Sequence, residues 1–120
     1  MVDDNTQNLR VLTQLLTKQG VSCTGVHDPR NLYDLVPEME RVDVVFLDLE
    51  MPDLDGYTVK EMLRSHLGDT PIIAYTVHVS EINLVRQSGF DGFLGKPLDT
   101  TRFPGQLARI FSGEPVWERA

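Results

Sequence analysis

The run Val44-Val45-Phe46-Leu47, closed by Asp48, constrains this chain more than any other stretch. Four consecutive apolar residues, two of them β-branched, predict a strand buried on both faces. Such strands belong to parallel sheets that carry helices on either side. Asp48 then stands at the carboxyl end of its strand, the edge where open α/β sheets bind ligands. Pro52 and Gly56 punctuate the turn that follows, and Asp53 and Asp55 read as turn residues within it.

The rest of the chain repeats this alternation. Short strand-like runs are expected at 21–26, at 72–76 after Thr70-Pro71, and at 93–94. Between them apolar residues recur at helical spacing. Leu9, Leu12, Leu15 and Leu16 predict a helix capped by Asn5 or Thr6 and stopped by Gly20. Asp28-Pro29 opens a second helix carrying Leu32, Leu35 and Met39, with Pro37 as an interruption. Val59, Met62 and Leu63 predict a helix over 56–67, and Ile82 and Val85 a short one over 80–88, ended by Gly89. A last helix starts at Thr100 or Thr101, carries Leu107, Ile110 and Phe111, and tolerates Pro104 in its first turn. Strands alternating with helices predict an α/β fold with a doubly wound parallel sheet. Residues 112–120, with Gly113 and Pro115, are expected as a tail outside the sheet, with Trp117 packing back on the body.

A length of 120 residues fits one domain. A net charge of −7 and a pI near 4.8 argue against a nucleic-acid footprint, which needs a basic patch. They suit a bound metal cation or a basic partner surface. Cys23 is the single cysteine, so no intrachain disulfide forms and a reducing compartment is allowed. Its strand-like setting suggests a buried structural thiol. No apolar run approaches the length of a membrane span, and a cytoplasmic protein is expected.

The polar residues at the strand ends carry the chemistry. Asp3-Asp4 follow Met1-Val2, Asp48 ends the run at 42–47, Thr76 ends 72–76, and Lys96 comes just past 93–94. Parallel strands bring all these ends to one edge. Three crowded carboxylates repel unless neutralised, and a hard divalent cation such as Mg²⁺ neutralises them well. Lysine adds a mobile positive charge and threonine a hydroxyl. This set suits phosphoryl transfer onto a carboxylate. His27, His66 and His78 show no ligand spacing.

With these residues the chain resembles the receiver domains of two-component response regulators. The strings VDDN at 2–5, VFLDLEMPDLDG at 45–56, PIIAYT at 71–76 and FDGFLGKPL at 90–98 carry the resemblance. It covers residues 1–111 and implies a flavodoxin-like five-stranded sheet of order 2-1-3-4-5. It further implies that Asp48 is the phospho-acceptor, that Asp4, Asp48 and the Glu50 carbonyl hold Mg²⁺ with Asp3 assisting, and that Thr76 and Lys96 contact the phosphoryl group. Thr76 and Phe93 match the family's switch residues, and the Lys96-Pro97 bond is expected to be cis. The implied partners are a sensor histidine kinase or phosphotransfer protein as donor and a protein as downstream target, with neither membrane nor direct nucleic-acid contact; homodimerisation is left open. The implied chemistry is signalling, with self-catalysed phosphorylation and autodephosphorylation.

Two rivals are weaker. A degenerate receiver that only binds proteins is opposed by the intact Asp4, Asp48, Thr76 and Lys96. A phosphohydrolase with an aspartyl nucleophile wants a second Asp two residues later, where Glu50 stands. Departures from the family pattern concern rate and completeness. Val77 replaces a small residue, and Glu50 and His78 flank the path of an attacking water, so altered autodephosphorylation is expected. The apolar run before the acidic pair is only Met1-Val2, so the central strand is short. The burial that a full strand supplies is a sizeable fraction of a domain's net stability. The chain as given is therefore expected to be marginal unless upstream residues, a donated strand or a rearrangement fill the gap.

Overall fold

The computed structural model describes residues 1–39, 41–51 and 55–118. Four parallel strands form one sheet in chain order: β1 (Val45–Asp48), β2 (Ile72–Thr76), β3 (Gly92–Gly95) and β4 (Val116–Glu118). The register pairs Asp48 with Tyr75 and Thr76 with Gly95, which aligns the carboxyl ends. All residues of β1, β2 and β3 are buried, as expected of strands covered on both faces.

Helices cover the two faces. On one face, Leu12, Leu15 and Leu16 of α1 (Thr6–Lys18) join Phe103, Leu107 and Ile110 of α5 (Phe103–Phe111). They pack on Phe46, Ile73, Tyr75 and Leu94, with the Phe46 and Phe103 rings 6.1 Å apart. On the other face α2 (Leu32–Leu35), α3 (Gly56–Leu67) and α4 (Ile82–Gln87) pack Leu32, Val59, Leu63 and Val85 against Val45, Leu47, Ile72, Ala74 and Phe93. Asn5 caps α1 through its side-chain oxygen, which accepts from the Gln7 and Asn8 amides, and Asp55 caps α3 through the Tyr57 amide. Gly56 is required where α3 starts, because a Cβ there would meet Leu49 Cδ2 at 2.8 Å.

The expected strand order survives in reduced form. Val2 makes single parallel bridges to Val26 on one side and Leu47 on the other, so the sheet reads Val26, Val2, β1, β2, β3 and then β4. The first two expected strands are therefore bridges among the described residues, because only residues 1–3 lie between the two neighbours to supply ladder bonds. The Val2 amide donates to Phe46 O, the Asp48 amide to Val2 O, and the Asp3 amide to Val26 O. Beneath this stub, at the opposite end of β1 from Asp48, lies a cavity of about 500 Å³ lined by Val21, Cys23, Val44, Leu63 and Phe111 among others.

Three expectations are corrected. The tail is not outside the sheet: residues 116–118 pair in parallel with β3, Trp117 beside Phe93 and Val116 fully buried beside Gly92. Gly92 permits this, since a Cβ would meet Val116 O at 2.9 Å. The second helix is broken into a 3₁₀ turn, the single α-turn α2 and another 3₁₀ turn at Val36–Glu38, where Pro37 lacks the amide a continuous helix needs. The last helix begins at Phe103 rather than Thr100 or Thr101, with Pro104 in its first turn. Pro52, Asp53 and Leu54 of the predicted turn lie outside the described residues. No helix among the described residues is long and apolar enough to cross a membrane.

Candidate functional site

The carboxyl ends of β1 and β2, the segment after β3 and the stub at Val2 converge as predicted. Carboxylate oxygens of Asp3, Asp4 and Asp48 lie within 4.8 Å of one another. Asp3 and Asp48 are buried, and Asp4 is half-buried. The Lys96 ammonium lies 3.2 Å from Asp3 Oδ2 and 3.2 Å from Asp48 Oδ1. The Lys96-Pro97 bond is cis. The backbone amide of Lys96 donates to Thr76 O, which ties the lysine segment to the end of β2.

The two buried aspartates are held differently. Asp48 Oδ1 accepts the Glu50 amide at 3.0 Å and faces Lys96, while Oδ2 meets no backbone amide or cation among the described residues. Asp3 is fully engaged: Oδ1 accepts the Asn5 amide at 2.9 Å, and Oδ2 accepts the Tyr75 hydroxyl at 2.5 Å as well as Lys96. Asp4 has no hydrogen-bond or ion-pair partner among the described residues.

Burial pushes the Asp48 carboxyl up to about 6, against the lowering pull of the Glu50 amide and Lys96, with Asp3 adding repulsion. Burial also opposes ionisation of Asp3. There the Tyr75 hydroxyl, the Asn5 amide and Lys96 outweigh it, so its carboxyl stays below the ordinary carboxylate range. Tyr75 is held neutral, its phenol pushed well above the usual range by burial and then by Asp3 and the other carboxylates.

A profile described as the response regulator receiver domain matches residues 1–107. The chain belongs to that family. The osmosensing histidine protein kinase SLN1 of Saccharomyces cerevisiae is 32% identical over 106 residues, which is 82% of this chain and 9% of that protein. The transcription factor SKN7 of Candida albicans is 36% identical over 99 residues, 81% of this chain and 18% of that one. The chain thus spans less than a fifth of the length of either relative. The receiver domain of the sensor histidine kinase PA1611 from Pseudomonas aeruginosa, solved with a magnesium ion coordinated in its active-site cleft, superposes with a TM-score of 0.77 at 28% identity. That match covers 92% of this chain and 93% of that one.

For this receiver domain, the predicted residues divide cleanly. Asp3, Asp4, Asp48 and Lys96 form the cluster. Thr76 is buried at its rim, its Oγ1 accepting the His78 amide at 3.1 Å. Phe93 lies in the core below rather than at the cluster. Glu50 turns toward β2, where its Oε1 accepts the Val77 amide at 3.1 Å and lies 3.8 Å from His78 Nε2. Val77, beside Thr76, is exposed. Tyr75 was not singled out in the sequence, although a tyrosine in a strand buried on both faces needs a partner for its hydroxyl.

The donor set fits a divalent cation. Three carboxylates face one ammonium, and Asp4 and Asp48 Oδ2 meet no amide or cation among the described residues. Uncompensated carboxylates at this spacing are what Mg²⁺, which takes one or two carboxylates and keeps its waters, satisfies. Receiver domains bind Mg²⁺ at such an acidic pocket.

Proposed function

We propose that this receiver accepts a phosphoryl group on Asp48. The observation that carries the reading is Asp48 itself: a buried carboxylate whose Oδ1 is braced by an amide and an ammonium, and whose Oδ2 meets no backbone amide or cation among the described residues. Asp48 Oδ2 attacks the phosphorus of a phosphohistidine. The new O–P bond forms as the N–P bond breaks, and the imidazole leaves as the neutral base after taking a proton from solvent. Asp4, Asp48 and the Glu50 carbonyl would hold Mg²⁺, with Asp3 assisting, and the bound ion supplies charge neutralisation for the transferring group. Lys96 supplies a second positive charge beside Asp48, and the Thr76 hydroxyl reads the new phosphoryl oxygens.

The switch reading assigns Thr76 and Phe93 to relay that event. Phe93 is fully buried and pairs with Trp117 in the β3–β4 ladder, and the response would run through that edge. That face is where a downstream protein would dock; the donor would be a cytoplasmic sensor kinase or phosphotransfer protein. The receiver unit is taken as residues 1–111 with β4 appended to it. The test is phosphoryl transfer from a phosphohistidine donor, followed by donor dephosphorylation with and without chelator. Transfer that requires the metal and Asp48 supports the reading; a donor that keeps its phosphoryl group under all conditions overturns it.

A further inference from the structure

Tyr75 is a buried strand residue that also contacts the site. It is 2% exposed and sits on the α1–α5 face of β2 among Phe46, Ile73 and Leu94. Its hydroxyl nevertheless reaches the cluster and donates to Asp3 Oδ2 at 2.5 Å. The Lys96 ammonium lies 4.3 Å from the centre of its ring. One side chain therefore touches both the carboxylate and the cation. A buried cation over an aromatic face is stabilised, and a hydrogen bond to a charged acceptor is stronger than a neutral one.

We propose that Tyr75 is a positioning residue for the phosphoryl site: its hydroxyl satisfies Asp3 and its ring seats Lys96, so the ammonium is shared between Asp3 and Asp48. The proposal rests on the phospho-acceptor reading above. The geometry shows why sharing needs help. Asp3 and Asp48 compete for one cation at equal distance, 3.2 Å each. Both carboxylates are buried, so each draws on the one ammonium. A donor from Tyr75 takes up part of Asp3's demand and leaves Lys96 available to Asp48, where charge develops. The same donor reduces the negative potential that the cluster presents to an incoming divalent ion.

The test is Tyr75→Phe in the full chain, which keeps the ring and removes only the hydroxyl. Two effects of opposite sign are expected. Mg²⁺ should bind tighter, by about three- to tenfold in calorimetric titration, since a hydrogen bond to a charged group is removed from a competing carboxylate. Phosphorylation by a small phosphodonor at saturating Mg²⁺ should slow by about tenfold, as Lys96 settles on Asp3. A residue that merely fills space, its ring kept by phenylalanine, would move neither of them. The Lys96 ammonium signal in ¹H–¹⁵N spectra, visible only while its protons are held, gives a readout independent of metal and phosphate; it should shift in Tyr75→Phe.

Opposed changes in affinity and rate, with a shifted Lys96 signal, support the proposal. Unchanged affinity, rate and Lys96 signal overturn it, as does parallel weakening of both with loss of stability. A wild-type chain that neither binds Mg²⁺ nor takes phosphate overturns the phospho-acceptor reading and this role with it. In that case the Lys96 signal still tells whether the Tyr75 hydroxyl sets how the ammonium is held.

Discussion

Replacing Asp48 by Asn should stabilise the metal-free domain, and the size of the gain should depend on pH. Asp48 is 2% exposed, and burial raises its carboxyl to about 6 from 3.8. The folded chain therefore holds this proton more tightly than the unfolded chain. The stability this group contributes is full below about 3.8 and is lost as pH rises through about 6. The difference of about 2 pH units corresponds to roughly 3 kcal/mol at pH 8, and about half of that at pH 5. Asparagine keeps the shape and still accepts the Glu50 amide, but never ionises. Its loss of the Lys96 attraction takes back part of the gain, so about 2 kcal/mol is expected at pH 8 and less at pH 5. Urea unfolding in chelator at both pH values measures this directly. Mg²⁺ should raise wild-type stability at pH 8 and do so far less in Asp48→Asn. A variant no more stable than wild type at pH 8, or a gain that grows toward pH 5, would refute the account of Asp48 as a carboxylate forced to ionise in a buried place.

Further outcomes follow from single contacts. Thr76→Val leaves the His78 amide without its acceptor and should lower stability by about 1 kcal/mol while slowing phosphoryl transfer, both checked on one preparation. Gly92→Ala places a Cβ 2.8 Å from Ile73 Cδ1 and 2.9 Å from Val116 O; it should unseat β4, cost about 1–3 kcal/mol, and red-shift the emission of Trp117, the single tryptophan. An unshifted spectrum would mean that β4 is not docked on β3. Glu50→Asn removes the acceptor of the Val77 amide and should change the decay rate of the aspartyl phosphate, as should Val77→Ala; identical decay curves for both variants and wild type would show that these positions do not touch the water path.

Much of this site is legible in the sequence, and the physical reason is the sheet. A fully apolar run ends where water begins, so a polar residue just past it marks the carboxyl edge. That logic places Asp48, Thr76 and Lys96 without any alignment. It fails for Tyr75, whose body belongs to the strand and whose hydroxyl belongs to the site; strand periodicity registers only the first. It fails again for residues 116–118. Three residues after a Gly-Pro-punctuated turn carry too little pattern to predict a strand. What fixes β4 is tertiary: Arg86 of α4 lies 4.6 Å from the Trp117 ring centre, and Glu118 meets Gln106 of α5 and Arg102 just before it. The run at 21–26 fails in the other direction. Its β-branched residues fit a strand, yet only Val26 finds a ladder partner, because pairing depends on the neighbour and not on propensity.

The most direct test of the central claim is the intact mass of the chain after incubation with Mg²⁺ and a small phosphodonor, beside Asp48→Asn. The account predicts a gain of one phosphoryl group in the wild type, absent in the variant and absent in chelator. A folded wild-type chain that gains no mass, or a variant that gains the same mass, would contradict it.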